Sequence, residues 1–68
     1  MSMKLWNYDI YLNTLEDGSL VGTSGDIDFK SFEEAQKDAA SYIQNGLCEE
    51  YNTNEENFII KCYSFEVE

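Results

Sequence analysis

SFEEAQKDAASYIQNG, residues 31–46, decides the fold, because this stretch has a start signal, a stop signal and one apolar stripe between them. Ser31 followed by Glu34 matches the S-x-x-E capping box, in which side chains satisfy the free N–H groups at a helix start. Gly46 stands where a left-handed residue ends a helix, and Leu47 is placed for the apolar contact of a Schellman stop. The pattern predicts one helix, with apolar residues three or four positions apart: Phe32, Ala35, Ala39, Ile43 and Leu47.

Two stretches typical of β-strands precede this helix. The first runs from Lys4 to Asn13 and alternates strictly, which predicts a half-buried strand whose inner face carries Trp6, Tyr8, Ile10 and Leu12. The second runs from Leu20 to Phe29, and its glycines predict a bulge or bend near Ser24. Asp17-Gly18 lies between the two stretches and predicts a hairpin turn.

The chain after the helix has a loop-like part and a strand-like part. Residues 48–57 show no firm period and are expected to be mostly loop, with a short helical turn beginning at Thr53. Phe58 to Val67 predicts a third strand with apolar residues on both faces. The second face of the sheet is expected to stay open as an oligomer or partner surface, and the candidates to lie there are Tyr11, Phe58 and Ile60.

The element order β-β-α-β predicts an α+β fold. The last strand is expected beside the first, so that the three-stranded sheet has the spatial order 2-1-3 and the helix packs on one face. Sixty-eight residues suffice for one domain, 1–68. No export signal or membrane span is evident. Both thiols, Cys48 and Cys62, are therefore expected to be reduced in the cytoplasm, with Cys62 as a small core residue.

The composition excludes most catalytic chemistry. The chain has no His and no Arg, so it lacks an imidazole base and the usual bidentate clamp for phosphate. It also lacks a C-x-x-C pair and a glycine-rich phosphate loop, so no cofactor is expected and the chain is not expected to be an enzyme. Asp26-Ile-Asp28 is a D-x-D that would place two acids on one face of a strand, where they either help to hold a divalent cation or are merely solvated.

Carboxylates are the one abundant functional group. Fourteen Asp and Glu face four Lys, for a net charge of −10, while 43% hydrophobic residues indicate a folded core. Such a charge disfavours direct contact with nucleic acid or anionic membranes and favours a basic protein partner. The acids are either a solubilising surface or a partner-binding array, and the array would consist of Asp26, Asp28, Glu33, Glu34, Asp38, Glu49, Glu50, Glu55 and Glu56.

In size, charge balance and β-β-α-β layout, the chain resembles the small acidic phage-encoded anti-CRISPR and anti-restriction inhibitors, which include DNA mimics. The resemblance is one of general character across the chain and involves no specific motif. It implies a non-enzymatic inhibitor, acting in the host cytoplasm, that binds a basic nucleic-acid-handling protein such as a CRISPR effector and blocks DNA access by charge mimicry. The alternative is a small structural or adaptor module that docks through its open sheet face or an edge strand, with acidity serving only solubility.

Overall fold

The computed structural model describes residues 2–13 and 19–68, and the Asp17-Gly18 turn therefore lies outside the described residues. Three strands form one sheet: β1 (Met3–Leu12), β2 (Leu20–Thr23) and β3 (Phe58–Val67). The helical elements are α1 (Phe32–Tyr42), a π turn (Ile43–Leu47), α2 (Cys48–Glu50) and a 3₁₀ turn (Glu55–Asn57). No helix in these two ranges has the length and apolar content needed to cross a membrane.

The sheet has the order β2-β1-β3, as the sequence predicted, and both outer strands run antiparallel to β1. β3 pairs with β1 over its whole length, from Met3 opposite Val67 to Leu12 opposite Phe58. The register between β1 and β2 shifts between Ile10 and Tyr11. This class of fold, α+β with one helical layer on a three-stranded sheet, is thereby confirmed.

The second strand is shorter than predicted. It ends at Thr23, and the bend expected near Ser24 is a turn in which Gly25 has φ of +65°. Only glycine adopts that conformation at little cost, so the strand cannot continue straight through it. The chain then returns to β1, where Trp6 and Phe29 exchange backbone hydrogen bonds of 2.7 and 2.9 Å.

The predicted helix stop at Gly46 is wrong. Gly46 does not have a positive φ, and the helical path continues through the π turn to Glu50. The left-handed residue is Asn52, with φ of 51°. Thr53 N–H donates to the Cys48 carbonyl at 3.0 Å and Asn52 N–H donates to the Glu49 carbonyl at 3.3 Å, which is the bond pair of a Schellman motif.

The π turn follows from the spacing of the apolar residues. In an α-helix, residues four apart are offset by about 40° around the axis, so a strict four-residue spacing slowly leaves the buried face. The wider π turn offsets this drift at the point where it has accumulated. As a result Ile43 and Leu47 are both buried, with exposures of 3% and 1%.

The core lies between the helical layer and one face of the sheet. Three inner residues of β1 and one of β3 pack against four helical residues, and the set consists of Tyr8, Ile10, Leu12, Phe58, Ala35, Ala39, Ile43 and Leu47. Phe58 and Ile60 were predicted on the open face, and this is wrong. Because they pair with Leu12 and Ile10, they share the covered face with those residues.

The other face of the sheet, which we call the open face, contains no buried residue. Tyr11 lies there, as predicted, because it alternates with the buried Ile10 and Leu12. The open face consists of Met3, Leu5, Asn7, Asp9 and Tyr11 of β1, Leu20 and Thr23 of β2, and Ile59, Lys61, Tyr63, Phe65 and Val67 of β3.

Candidate functional site

Seven of the nine acids singled out in the sequence lie in the helical layer. All seven are exposed, and together they are called the acidic layer: Glu33, Glu34, Asp38, Glu49, Glu50, Glu55 and Glu56. The continuation of the helix past Gly46 changes how they are arranged. Glu49 and Glu50 were expected in a loop, but they form the last turn of the helical rod that begins at Phe32. At 1.5 Å per residue, Glu33 and Glu49 are separated by about 24 Å along the rod.

The first turn of the rod is fixed by the capping box that the sequence predicted. Ser31 Oγ accepts a hydrogen bond from Glu34 N–H at 3.1 Å. The Glu34 carboxylate reaches back and accepts from Lys30 N–H at 3.3 Å. Glu34 therefore has a local structural role in addition to its charge.

The 3₁₀ turn carries Glu55 and Glu56 back beside the middle of the rod. Gln44 Nε2 donates to Glu55 Oε2 at 3.0 Å, and Asn57 Nδ2 donates to Thr53 Oγ1 at 2.6 Å. The helical turn predicted to begin at Thr53 thus begins at Glu55 instead. The side-chain amides of Gln44 and Asn57 thus fix the position of this loop. Neither contact could be predicted from a pattern in the sequence.

The acids occupy both flanks of the rod. Glu34 and Asp38 line a shallow depression with Phe29 and Lys37, on the side where Phe29 bridges to β1. Glu55 and Glu56 line another depression with Ile60, above β3. The acidic layer is therefore a ridge with charge on its two sides and at its two ends, rather than one flat row of carboxylates.

Asp38 forms a hydrogen bond with a core residue. Tyr8, which is 2% exposed, donates its hydroxyl to Asp38 Oδ2 at 2.7 Å. Burial and the hydrogen bond to the Asp38 carboxylate both raise the pKa of the Tyr8 phenol well above its usual value. This bond ties α1 to β1, so Asp38 contributes to the fold as well as to the surface charge.

Several acids have no partner among the residues that the structure describes. Within residues 2–13 and 19–68, no side-chain hydrogen bond or ion pair is formed by Asp26, Glu33, Glu49, Glu50 and Glu56. Glu33 and Lys37 lie four residues apart on α1, but no ion pair between them is formed among the described residues. Two other lysines lie over aromatic rings, with Lys4 Nζ 5.2 Å from the Trp6 ring and Lys61 Nζ 5.1 Å from the Tyr11 ring. The excess negative charge of the helical layer is thus left uncompensated by these cations.

Asp26 and Asp28 are not part of the acidic layer. The structure places them in the irregular segment after β2, so the expected strand D-x-D is wrong. Asp28 Oδ1 accepts a hydrogen bond from Asn7 Nδ2 at 2.9 Å, beside the open face. Among the described residues, no group of three or more His, Cys, Asp or Glu is close enough to hold a metal ion.

One of the two thiols, that of Cys62, is disfavoured as a nucleophile. Cys48 and Cys62 are free and half-buried. Burial raises the pKa of the Cys62 thiol, which disfavours the reactive thiolate. Cys62 packs against the core as the sequence predicted.

Two residues that position the acids were missed from the sequence. Asn52 ends the helix so that Glu49 and Glu50 lie on its last turn, and an Asn after a helical stretch is a recognised signal for a left-handed stop. Gln44 binds Glu55, and a polar residue in mid-helix gives no comparable signal.

Comparison of the chain with models of protein families, with curated proteins and with solved structures found no match.

Proposed function

We propose that this chain is a non-enzymatic inhibitor that binds a basic nucleic-acid-handling protein through its acidic layer and excludes DNA from that protein. The observation that carries the proposal is the set of exposed carboxylates on one rigid rod that have neither hydrogen bonds nor ion pairs among the described residues. Carboxylates kept only for the fold would have partners, as Asp38 has in Tyr8. Unpaired ones remain available to cations on another molecule.

The dimensions of the rod suit phosphate mimicry. One strand of duplex DNA presents a phosphate about every 3.4 Å along the axis. The roughly 24 Å between Glu33 and Glu49 therefore corresponds to about seven phosphates of one strand. Charge on both flanks of the ridge suits a concave groove, whose two walls would each meet acids.

Electrostatics gives this binding a characteristic salt dependence. A chain with a net charge of −10 is attracted to a basic groove over long distances, which speeds association at low ionic strength. Salt screens that attraction, with a Debye length of about 8 Å under physiological conditions. Complex formation is therefore expected to weaken steadily as salt is added.

The function is tested with two matched double variants. Glu33→Gln/Glu50→Gln removes one unpaired carboxylate from each end of the rod, whereas Glu66→Gln/Glu68→Gln removes two exposed carboxylates from the end of the chain, at and beyond β3. The wild type and both variants are immobilised and exposed to a nuclease-treated bacterial lysate at low salt. Bound proteins are released with duplex DNA at constant ionic strength and identified by mass spectrometry.

DNA is expected to release nucleic-acid-binding proteins from the wild type and from the Glu66/Glu68 variant. Their affinity for the Glu33/Glu50 variant should be roughly twofold to thirtyfold lower, from about 0.2–1 kcal/mol for each of two exposed charge pairs. Equal losses in the two variants would mean that total charge matters and the rod does not. Capture that DNA cannot reverse would contradict mimicry altogether.

A second candidate function is a structural or adaptor module that docks through its sheet. It is favoured by the apolar open face and by β3, a ten-residue strand that, in the part of the chain the structure describes, pairs with β1 alone. Replacement of the rod acids would then leave partner binding unchanged. Either function requires no cofactor, and the inhibitor would act in the cytoplasm, where nucleic-acid-handling proteins are found.

A further inference from the structure

We infer that the open face is the contact surface of a symmetric dimer, in which two copies of this chain pack face to face and carry their acidic layers on the outside. The inference goes beyond the proposed function, because it concerns the face of the sheet that the acids do not occupy. It is carried by three observations: the apolar area of the face, its local charge and the size of the interface it would make.

The open face exposes large apolar side chains on both sides of the Asp9–Lys61 pair, which crosses its middle. Five of them are between 41% and 54% exposed: Met3, Leu20, Ile59, Tyr63 and Val67. Leu5, Tyr11 and Phe65 lie between them and are half-buried. At roughly 200 Å² for a large side chain, the five exposed ones alone leave about 500 Å² of apolar surface in water. The Asp9–Lys61 pair divides this total into two patches of roughly 300 and 200 Å², and the larger one is within the range of the largest patch on a monomer, which is often functional.

The charge of the open face identifies a second copy as the occupant. Among the described residues, the face carries one acid, Asp9, and one base, Lys61, which are directly opposite each other on neighbouring strands, and Asp28 lies at its margin, bonded to Asn7. Counted with Asp28, its formal charge is −1, although the chain as a whole has a net charge of −10. A basic partner would be drawn to the acidic layer instead. A second copy, which repels at every acidic surface, meets much less repulsion here.

A two-fold axis suits this pair of charges. If the axis runs along the strands between β1 and β3, Asp9 of each copy lies across from Lys61 of the other. Such an interface is isologous, because both copies use the same surface and the contact between Asp9 and Lys61 occurs twice, once in each direction. The two acidic layers would then be separated by two packed sheets, at roughly 30 Å. That distance is more than three Debye lengths in physiological salt, so their mutual repulsion is largely screened.

The area indicates a weak dimer. About 500 Å² of apolar surface from each copy gives a total of roughly 1,000 Å², which is the lower limit for a specific interface. Small domains often complete a limited core by association. We therefore expect a dissociation constant in the range of about 1–100 µM.

The test is sedimentation equilibrium of the purified full chain between about 5 and 500 µM. The wild type is expected to rise from the monomer mass of 7.9 kDa towards twice that value. Tyr63→Lys introduces a charge in the open face and should weaken association at least tenfold. Tyr51→Lys makes the same change at a tyrosine of similar exposure, 39% against 47%, that lies at the end of α2, and it should associate like the wild type.

Circular dichroism confirms that each variant is folded, and Val67→Lys replaces Tyr63→Lys if the latter is not. A wild type that stays monomeric at 500 µM would overturn the inference. So would Tyr63→Lys or its replacement associating as well as the wild type, which is the result expected if two β3 edges paired instead. An equal loss in Tyr51→Lys would also overturn it, because the open face would then have no special role.

Salt separates this inference from the proposed function. Added salt screens the repulsion between two copies that each carry a charge of −10, so the dimer should tighten between 0.05 and 0.5 M NaCl. Binding of a basic partner should weaken over the same range. Each proposal can therefore fail while the other stands. A dimer that loosens with salt would overturn the face-to-face arrangement.

Discussion

Replacing Gly46 by Ala tests where the helix ends, and with it the position of Glu49 and Glu50. Gly46 lies in the right-handed helical path without a positive φ, and a Cβ atom built on it meets nothing within 4 Å. Alanine therefore fits without strain and reduces the entropy of the unfolded chain. The expected gain in the free energy of unfolding is about 0.5–1 kcal/mol, the usual difference between Gly and Ala in a helix interior. For a domain of this size, that raises the melting temperature by about 2–8 °C.

Gly25→Ala is the matched control. Gly25 also has open space around its Cα, but its φ is +65°, so the same substitution meets backbone strain and nothing else. It should lower the free energy of unfolding by roughly 1 kcal/mol. Both variants are compared with the wild type by thermal unfolding followed by circular dichroism. A fall in melting temperature for Gly46→Ala, similar to that of Gly25→Ala, would refute the continuous rod and restore a left-handed stop at residue 46.

Three further outcomes are expected. Ser31→Ala removes the helix N-cap and should lower the free energy of unfolding in urea by about 1 kcal/mol. Ser31→Asp should unfold at nearly the wild-type free energy, because Asp is also a good N-cap residue. The raised pKa of Tyr8 stabilises the fold below the phenol's unfolded pKa of about 10, and this stabilisation is lost as pH rises further. Urea unfolding at pH 8 and pH 11 should therefore show a smaller loss for Tyr8→Phe than for the wild type, and equal losses would contradict a raised pKa of this phenol, which burial and the Asp38 hydrogen bond cause together. The melting temperature of the wild type should rise when salt is added at low protein concentration, because fourteen acids outnumber four lysines; a fall would indicate that attractive charge pairs dominate.

The strands were predictable because their signal is local. Alternation in β1 assigns Tyr8, Ile10 and Leu12 to one face whatever they pack against, and those residues are buried. The third strand has apolar residues on both faces, so alternation alone could not tell which face would be covered. Its pairing register decides that question, since Phe58 lies opposite Leu12. Register depends on contacts between distant parts of the chain, which a single sequence does not display.

The helix start was predictable and its end was not. The side chains of Ser31 and Glu34 accept hydrogen bonds from backbone N–H groups at the helix start, so their spacing in the sequence is informative by itself. Glycine at position 46 is compatible with both the left-handed and the right-handed conformation, and tertiary burial of Leu47 favours the second. The candidate site was therefore predictable only in part. The identity of its acids came from composition, but their joint placement on one rod depends on the continuation through the π turn and on the contact between Gln44 and Glu55.

The π turn also makes this part of the helix unusually tolerant of a change in length. A π turn is an α-helical turn with about one extra residue, so deletion of a single codon within residues 44–46 would convert the wide turn into an ordinary one and leave everything downstream in nearly the same orientation. Leu47 would stay on the buried side, and the carboxylates of Glu49 and Glu50 would keep their direction. The same deletion within α1 would instead rotate both carboxylates by about 100° about the helix axis.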